Sequence, residues 1–306
     1  MSVSFVGYQP MMSVHTRAAQ VFELALKDDL GGDLEYVFEN NVANRGLKAA
    51  DCLSLVESGE RTFCYFASSY SAHRFPEIAI LDLPFLVSDR ERAYRALDGD
   101  FGAAMKDIVR SGSDYELLGF WDNGFRHLSN RVRPIRLPAD CAGLRIRTGD
   151  SKLHQDTFAA LGFDPTFIDV ADLAPAVARG DVDAQDNPLT NLFNLGIHRH
   201  HRYITLSGHL LGFVTLLCHR PTYEAWDART KASVHKAVAQ ATEAQRGFAQ
   251  AEDQRVLGEL ANTDNEVAAL SDAERRAFLQ AVQAVIDAQL ACLDSRLVDL
   301  YLGAPA

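Results

Sequence analysis

The sequence predicts an α/β fold built as two units, with a helical C-terminal region. Three observations carry this. Short β-prone runs alternate with runs of helical period from the first residues, the alternation begins afresh after about Arg133, and β-prone runs disappear after Thr222. Such alternation gives a parallel-rich sheet, because parallel neighbours need a long crossover that a helix supplies. A second series means a second domain, and 306 residues are enough to build two.

In chain order, SVSFVGY is the first strand, bounded by Gln9-Pro10. Ala18, Val21, Phe22 and Ala25 recur at i, i+3, i+4 and i+7 and predict a helix that stops at Gly31-Gly32. LEYVF is a second strand, Arg45 to Ser58 a second helix closed by Gly59, and TFCYFAS a third strand. In the second series LRIRT is a strand, Lys152 to Leu161 a helix ended by Gly162, PTFIDV a strand, and Asp172 opens a short helix ended by Gly180. Downstream, Ser271-Asp-Ala-Glu274 forms a capping box ahead of Phe278, Val282, Val285 and Ile286. No repeat or low-complexity linker separates the units, which predicts crossing strands between them rather than a loose tether.

Composition excludes several functions. At 47% apolar and 23% charged residues the chain folds around its own core. A formal net charge of -11, with no Lys/Arg-rich run, argues against nucleic acid, which needs a basic stripe. No apolar stretch approaches the roughly 18–20 residues of a membrane span, and MSVSFVGYQP lacks a basic n-region and an apolar h-region. Cys52, Cys64, Cys141, Cys218 and Cys292 show no CxxC spacing, which predicts buried free thiols rather than a zinc site or disulfides.

Signatures of catalysis are missing: no GxSxG, no HExxH, no Walker A loop and no GxGxxG after the first strand. His198-Arg-His-His201 offers imidazoles, yet without the i, i+4 spacing of a helical metal site and with arginines interleaved, so it reads as a solvated loop. Asp181, Asp183 and Asp186 follow the helix stop at Gly180, and a polar turn there collects aspartates for capping. Arg145 and Arg147 sit two apart on a strand and share a face, where two guanidiniums repel unless an anion or carboxylates lie between them.

The runs AILDLPFLVSDRERA, GFWDNGFRHLSNRVRPIRLPAD, GLRIRT, ALGFDPTFIDVADLAPAVARGDVDAQDNPLTNL and RYITLSGHLLGF, in this order, resemble the solute-binding proteins of tripartite ATP-independent periplasmic (TRAP) transporters. The resemblance covers about Val3 to Phe213 and, more loosely, the tail. It implies a two-lobe periplasmic-binding-protein (flytrap) fold with a ligand cleft between lobes, the first comprising 1–124 plus 213–252 and the second 125–212 plus 253–306. It further implies a monomeric periplasmic receptor that delivers a small organic acid to a membrane permease, with no cofactor, no metal and no catalytic residue. The chain as given lacks a signal peptide and is expected to be a mature or re-engineered form. The competing reading is an α/β enzyme acting on a carboxylate substrate.

Residue by residue, the resemblance gives Arg147 the role of salt bridge to the ligand carboxylate, which a planar guanidinium meets with two parallel N–H donors. Arg126 matches a second family arginine near the carboxylate or the hinge. Asn187 is expected to donate its amide to the ligand, with Pro188 fixing the chain direction as it leaves the lobe. His209 matches a histidine near the cleft, and Tyr8, Gln9, Asn44 and Ser68 fall on ligand-facing loops of the first lobe. Val170 stands where members carry phenylalanine, which changes the pocket wall. Asp186 replaces the commoner Glu and Ala184 the commoner Gly. Asn44 and Ser68 lack the acidic groups of sialic-acid-binding members, which argues against sialic acid. Hexuronates, aldonates, C4-dicarboxylates and 2-oxo acids all satisfy one arginine plus one amide. Met11, Met12 and Phe213 near the loops suit an apolar end.

Overall fold

The computed structural model describes residues 2–31 and 34–303; Gly32, half of the first helix stop read from the sequence, lies outside them. The chain opens with β1 (Ser2–Val6), α1 (Val14–Leu30), β2 (Glu35–Glu39), α2 (Asp51–Glu57), β3 (Phe63–Ala67), α3 (Arg90–Asp98) and α4 (Asp100–Gly112). It continues through β4 (Tyr115–Asn130), β5 (Arg145–Thr148), α5 (Lys152–Ala160), β6 (Asp164–Phe167), α6 (Val170–Arg179), β7 (Ala184–Pro188) and α7 (Leu189–Asn194). It closes with β8 (Tyr203–His219), α8 (Arg220–Ala225), α9 (Ala228–Leu260), β9 (Glu266–Ala269), α10 (Asp272–Leu290) and α11 (Ser295–Leu302).

These elements group into two units, Met1–Ser68 with Ala96–Asp122 and Phe213–Ala251, and Ser69–Arg95 with Asn123–Gly212 and Glu252–Ala306. The strands β4 and β8 carry the chain from one unit into the other. Residues 69–95 cluster with the second unit, whereas the sequence division runs the first unit unbroken to residue 124. The reason is tertiary: the Phe85 amide donates to the His209 carbonyl at 2.6 Å and its ring lies 6.0 Å from Phe278.

In the first unit β1 pairs in parallel with both β2 and β3, and β3 pairs antiparallel with β8. The helix α1 starts at the Ser13 cap, whose side chain accepts from the Thr16 amide, and buries Ala18, Ala19, Phe22 and Leu26 against Phe5, Phe63, Tyr65 and Trp121. The second helix is shorter than expected. Val42–Arg45 is a 3-10 turn ended by Gly46 at φ 75°, a left-handed conformation that stops helical propagation, and α2 begins only at Asp51.

In the second unit β5 pairs in parallel with β6 and β7, and β7 antiparallel with β4. The predicted helix stop at Gly180 is present at φ 75°. The helix before it starts earlier than Asp172, because the Asp169 side chain caps the Ala171 amide and turns the chain out of the strand there. Leu173, Val177, Leu189, Leu192, Ile204, Val256 and Leu260 form the core of this region. The expectation of no strand after Thr222 fails: β9 pairs in parallel with Tyr203–Leu206 of β8. Pairing along β8, not the propensity of EVAA, makes it a strand.

Candidate functional site

In each unit the residues singled out from the sequence gather at one edge. In the first, Tyr8 and Gln9 follow β1, Asn44 follows β2 and Ser68 follows β3, all three strands being parallel. In the second, Arg147 is the penultimate residue of β5, Val170 follows β6, and Asn187 is the penultimate residue of β7, again three parallel strands. Carboxyl ends of parallel strands are where loops and unpaired backbone meet ligands in open α/β sheets.

The two arginines of LRIRT part company. Arg145 clamps Asp183 through Nε at 2.9 Å and Nη2 at 3.0 Å, and donates to the carbonyls of Asp181 and Gly180. Arg131 shares the same carboxylate at 2.7 Å, and hydrogen bonds from Arg145 above all hold Asp183 well below the usual carboxylate range. Arg147 is 3% exposed and has no carboxylate partner among the described residues. Its Nε donates to the Ile168 carbonyl at 2.7 Å and the Tyr70 hydroxyl accepts from it, while its buried Nη2 has no hydrogen-bond partner among the described residues. Burial lowers its pKa, against the pull of Tyr70 and Asp186, from a value so high that it stays charged at neutral pH. A buried guanidinium with an unmatched N–H is a site built to receive an anion.

Arg126 is committed differently. Its Nε donates to Asp186 Oδ2 at 2.5 Å and its Nη2 to the Asp186 carbonyl at 2.6 Å. Burial alone pushes the Asp186 carboxyl up, yet the Arg126 charge and the His209 bond bring it well below its ordinary value. His209 Nε2 lies 3.3 Å from the same oxygen, and its Nδ1 lies 2.7 Å from Ser207 Oγ. Burial lowers the His209 pKa, so the neutral ring donates to Asp186 and accepts from Ser207. Serine, histidine and aspartate thus lie in series, all three buried, with the aspartate already paired to Arg126. The aspartates of GDVDAQDNP are therefore not caps, as the sequence suggested. Asp181 pairs with Arg179, Asp183 with Arg131 and Arg145, and Asp186 with Arg126.

Asn187 stands opposite His127 in the β4–β7 register and donates at 2.5 Å to Gln185, whose amide donates at 2.6 Å to Ser129, itself 3.0 Å from His201 Nδ1. One amide hydrogen of Asn187 is thus fixed and the other is left for a further acceptor. Val170 is half-buried at the first turn of α6.

In the first unit Tyr8 bridges Asn41 and packs its ring 5.2 Å from Phe66. The Gln9 carbonyl accepts from Asn40 Nδ2 at 3.0 Å, Asn44 is exposed, and the Ser68 hydroxyl donates to the Phe213 carbonyl at 3.1 Å. Met11 and Met12 are exposed while Phe213 is core. Four cysteines are buried and free, and Cys292 departs from the expectation by being exposed.

The HRHH run is structural. His198 stacks on Phe193 at 4.4 Å, His201 is buried, and Asn265 Nδ2 donates at 2.8 Å to the carbonyls of both. Among the described residues no group of three His, Cys, Asp or Glu is placed to hold a metal, and no helix is long and apolar enough to cross a membrane. Sequence reading passed over Tyr70, Asp82, Thr148, His154 and Thr157. A lone Asp inside the apolar run AILDLPFL, and the Ser151 cap that sets His154 and Thr157 on one face of α5, are the signals that could have found them.

The chain is similar to several known proteins. An uncharacterised protein of Haemophilus influenzae is 27% identical over 193 residues, 63% of this chain and 58% of that protein. The 2,3-diketo-L-gulonate-binding periplasmic protein YiaO of Escherichia coli is 24% identical over 266 residues, 87% of this chain and 79% of that protein. The chain spans about three fifths of the length of the first two curated relatives it matches. The crystal structure of the sugar acid binding protein DctPAm from Advenella mimigardefordensis in complex with galactonate is similar at a TM-score of 0.93 and 22% identity, covering 99% of this chain and 96% of that one; at that identity the likeness is one of fold. The family model for bacterial extracellular solute-binding protein, family 7 (DctP), matches residues 5–291, so the chain belongs to that family.

Proposed function

We propose that this receptor holds a small organic acid by its carboxylate on Arg147 and, as a periplasmic monomer, hands it to a TRAP membrane permease. The observation that carries the reading is the buried Arg147 guanidinium, whose Nη2 has no partner among the described residues, at the carboxyl end of parallel strands. Asp183 occupies Arg145 and Asp186 occupies Arg126, which leaves Arg147, among the described residues, as the fully buried arginine with no carboxylate of its own. Asn187 supplies a second, neutral donor on the neighbouring strand. Arg126, tied to Asp186, shapes the site rather than making a primary contact, and His209 keeps Asp186 in place.

A thermal-shift screen of organic acids followed by mass spectrometry tests this. Ligand at 100 times its dissociation constant adds about 2.7 kcal/mol, which raises the melting temperature of a chain of this size by several degrees. The expected outcome is a shift with at least one monocarboxylate, absent with its amide, and recovery of the acid unchanged. Equal shifts with acid and amide, or consumption of the acid, would contradict the reading.

A further inference from the structure

Within the second unit five buried polar atoms have no hydrogen-bond partner among the described residues: Asp82 Oδ2, Thr148 Oγ1, His154 Nε2, Thr157 Oγ1 and Asp186 Oδ1. None of their residues is more than 7% exposed. Buried polar atoms are almost always matched, so five unmatched in one neighbourhood point to something that enters and matches them. Their proximity follows from several contacts. The turn carrying Asp82, Pro76–Asp82, packs on α5, and His154 Nε2 lies 3.7 Å from Asp82 Oδ1, too far for a hydrogen bond. His154 is close enough to His209, and Asp82 to Arg126, for their charges to be felt there. Thr148 follows Arg147 on β5, and Asp186 follows Gln185, the register partner of Arg147. Thr148 and Asp186 thus leave the sheet on the face opposite Arg147, yet at these strand ends the charges of Asp186 and Arg126 are close enough to be felt at Arg147, which puts the cluster beside the proposed carboxylate anchor.

We propose that this cluster is the part of the binding site that reads hydrogen-bond donors on the ligand, so that the receptor takes hydroxylated monocarboxylates and rejects a second carboxylate. The proposal rests on the reading of Arg147 as anchor. Two of the five atoms are carboxylate oxygens, which only accept when ionised, and two are threonine hydroxyls, which do both. Hydroxyl groups of a ligand held at Arg147 donate to Asp82 and Asp186 and exchange bonds with Thr148 and Thr157. A second carboxylate there meets two carboxylates of like sign. Arg126 is already neutralised by Asp186, and the ionic neighbour of Asp82 is His154 at 3.7 Å, beyond hydrogen-bond reach. An unsubstituted alkyl chain leaves all five atoms unmatched, which weakens its binding.

Calorimetry on the wild type with aldonates, dicarboxylates and unsubstituted alkanoates of four, five and six carbons decides the matter. The best aldonate is expected to bind at least tenfold tighter than the dicarboxylate and the alkanoate of its length. Asp82→Asn, and independently the near-isosteric Thr157→Val, should weaken the aldonate at least tenfold and the alkanoate less than threefold, with Asp82→Asn also narrowing the gap to the dicarboxylate. A wild-type dicarboxylate or alkanoate that matches the aldonate overturns the proposal while leaving the Arg147 anchor standing. Variants that weaken all three series equally also overturn it. If neither variant folds, as judged by circular dichroism, the wild-type rank order alone decides. Failure of every acid to bind defeats the anchor reading and this one with it.

Discussion

Replacing Asp186 by Ala removes the carboxylate that holds Arg126 and leaves a guanidinium only 9% exposed without its counter-charge. Breaking a buried pair by removing one member costs about 3–5 kcal/mol, because the remaining charge is unsolvated and unmatched. Here the Asp186 carbonyl still accepts from Nη2 at 2.6 Å, which places the loss near the lower end, at about 3 kcal/mol. The Arg126→Met/Asp186→Ala double variant removes both charges and buries apolar atoms instead. It should therefore lose less than the sum of the single variants by about 2 kcal/mol. Urea unfolding followed by circular dichroism on wild type, both single variants and the double variant measures the cycle. Since a domain has only about 5–15 kcal/mol of stability, the Asp186→Ala midpoint should fall visibly at unchanged slope. A folded Asp186→Ala protein within about 1 kcal/mol of wild type, or strictly additive losses, would refute the assignment of Arg126 to a structural ion pair.

Two further outcomes follow from buried groups. Burial first, then the charges of His200 and Arg131, bring the His201 pKa down to about 4, so the unfolded chain takes up a proton that the folded one refuses. The stabilisation is complete above the ordinary value near 6.5 and is lost as pH falls from there toward 4; at pH 4.5 the loss is about 2 kcal/mol. Urea midpoints of wild type should accordingly drop more steeply between pH 7 and 4.5 than those of His201→Asn, and parallel profiles would contradict the burial argument. Burial pushes the Cys52 and Cys141 thiols up to about 12 and raises Cys64 and Cys218 as well, whereas Cys292 is exposed. A disulfide reagent should titrate one thiol in the native protein and four more after unfolding; fast reaction of two or more native thiols would point to local opening.

Local signals made part of this legible. α1 and α5 announce themselves by capping serines and terminal glycines, and β5 by a short apolar-alternating run. What depends on contacts far along the chain was not legible. The strand β9 exists because Tyr203–Leu206 offers an edge, and residues 69–95 join the second unit because Phe85 meets His209 and Phe278. The same holds at the site. Arg145 and Arg147 are equivalent by spacing, and what separates them is Asp183, 38 residues away, which occupies one and not the other. Asp186 looks like a turn aspartate until β4 brings Arg126 beside it across 60 residues of sequence. Resemblance to a family singled out Arg147, and the carboxylate pairs of Arg145 and Arg126 set it apart from them.

The most direct measurement is calorimetry with one acid identified by the screen on wild type, Arg147→Lys and Arg147→Ala, each confirmed as folded by circular dichroism. Arg147 is 3% exposed, so its loss leaves a desolvated carboxylate unmatched, at a cost of about 2–5 kcal/mol. That corresponds to a loss of affinity of roughly 30-fold to several thousand-fold. Lysine should restore only part of it, since a point charge lacks the paired donors of guanidinium. A folded Arg147→Ala protein that binds the acid within about threefold of wild type, a difference under about 0.7 kcal/mol, would contradict the claim that Arg147 anchors the ligand.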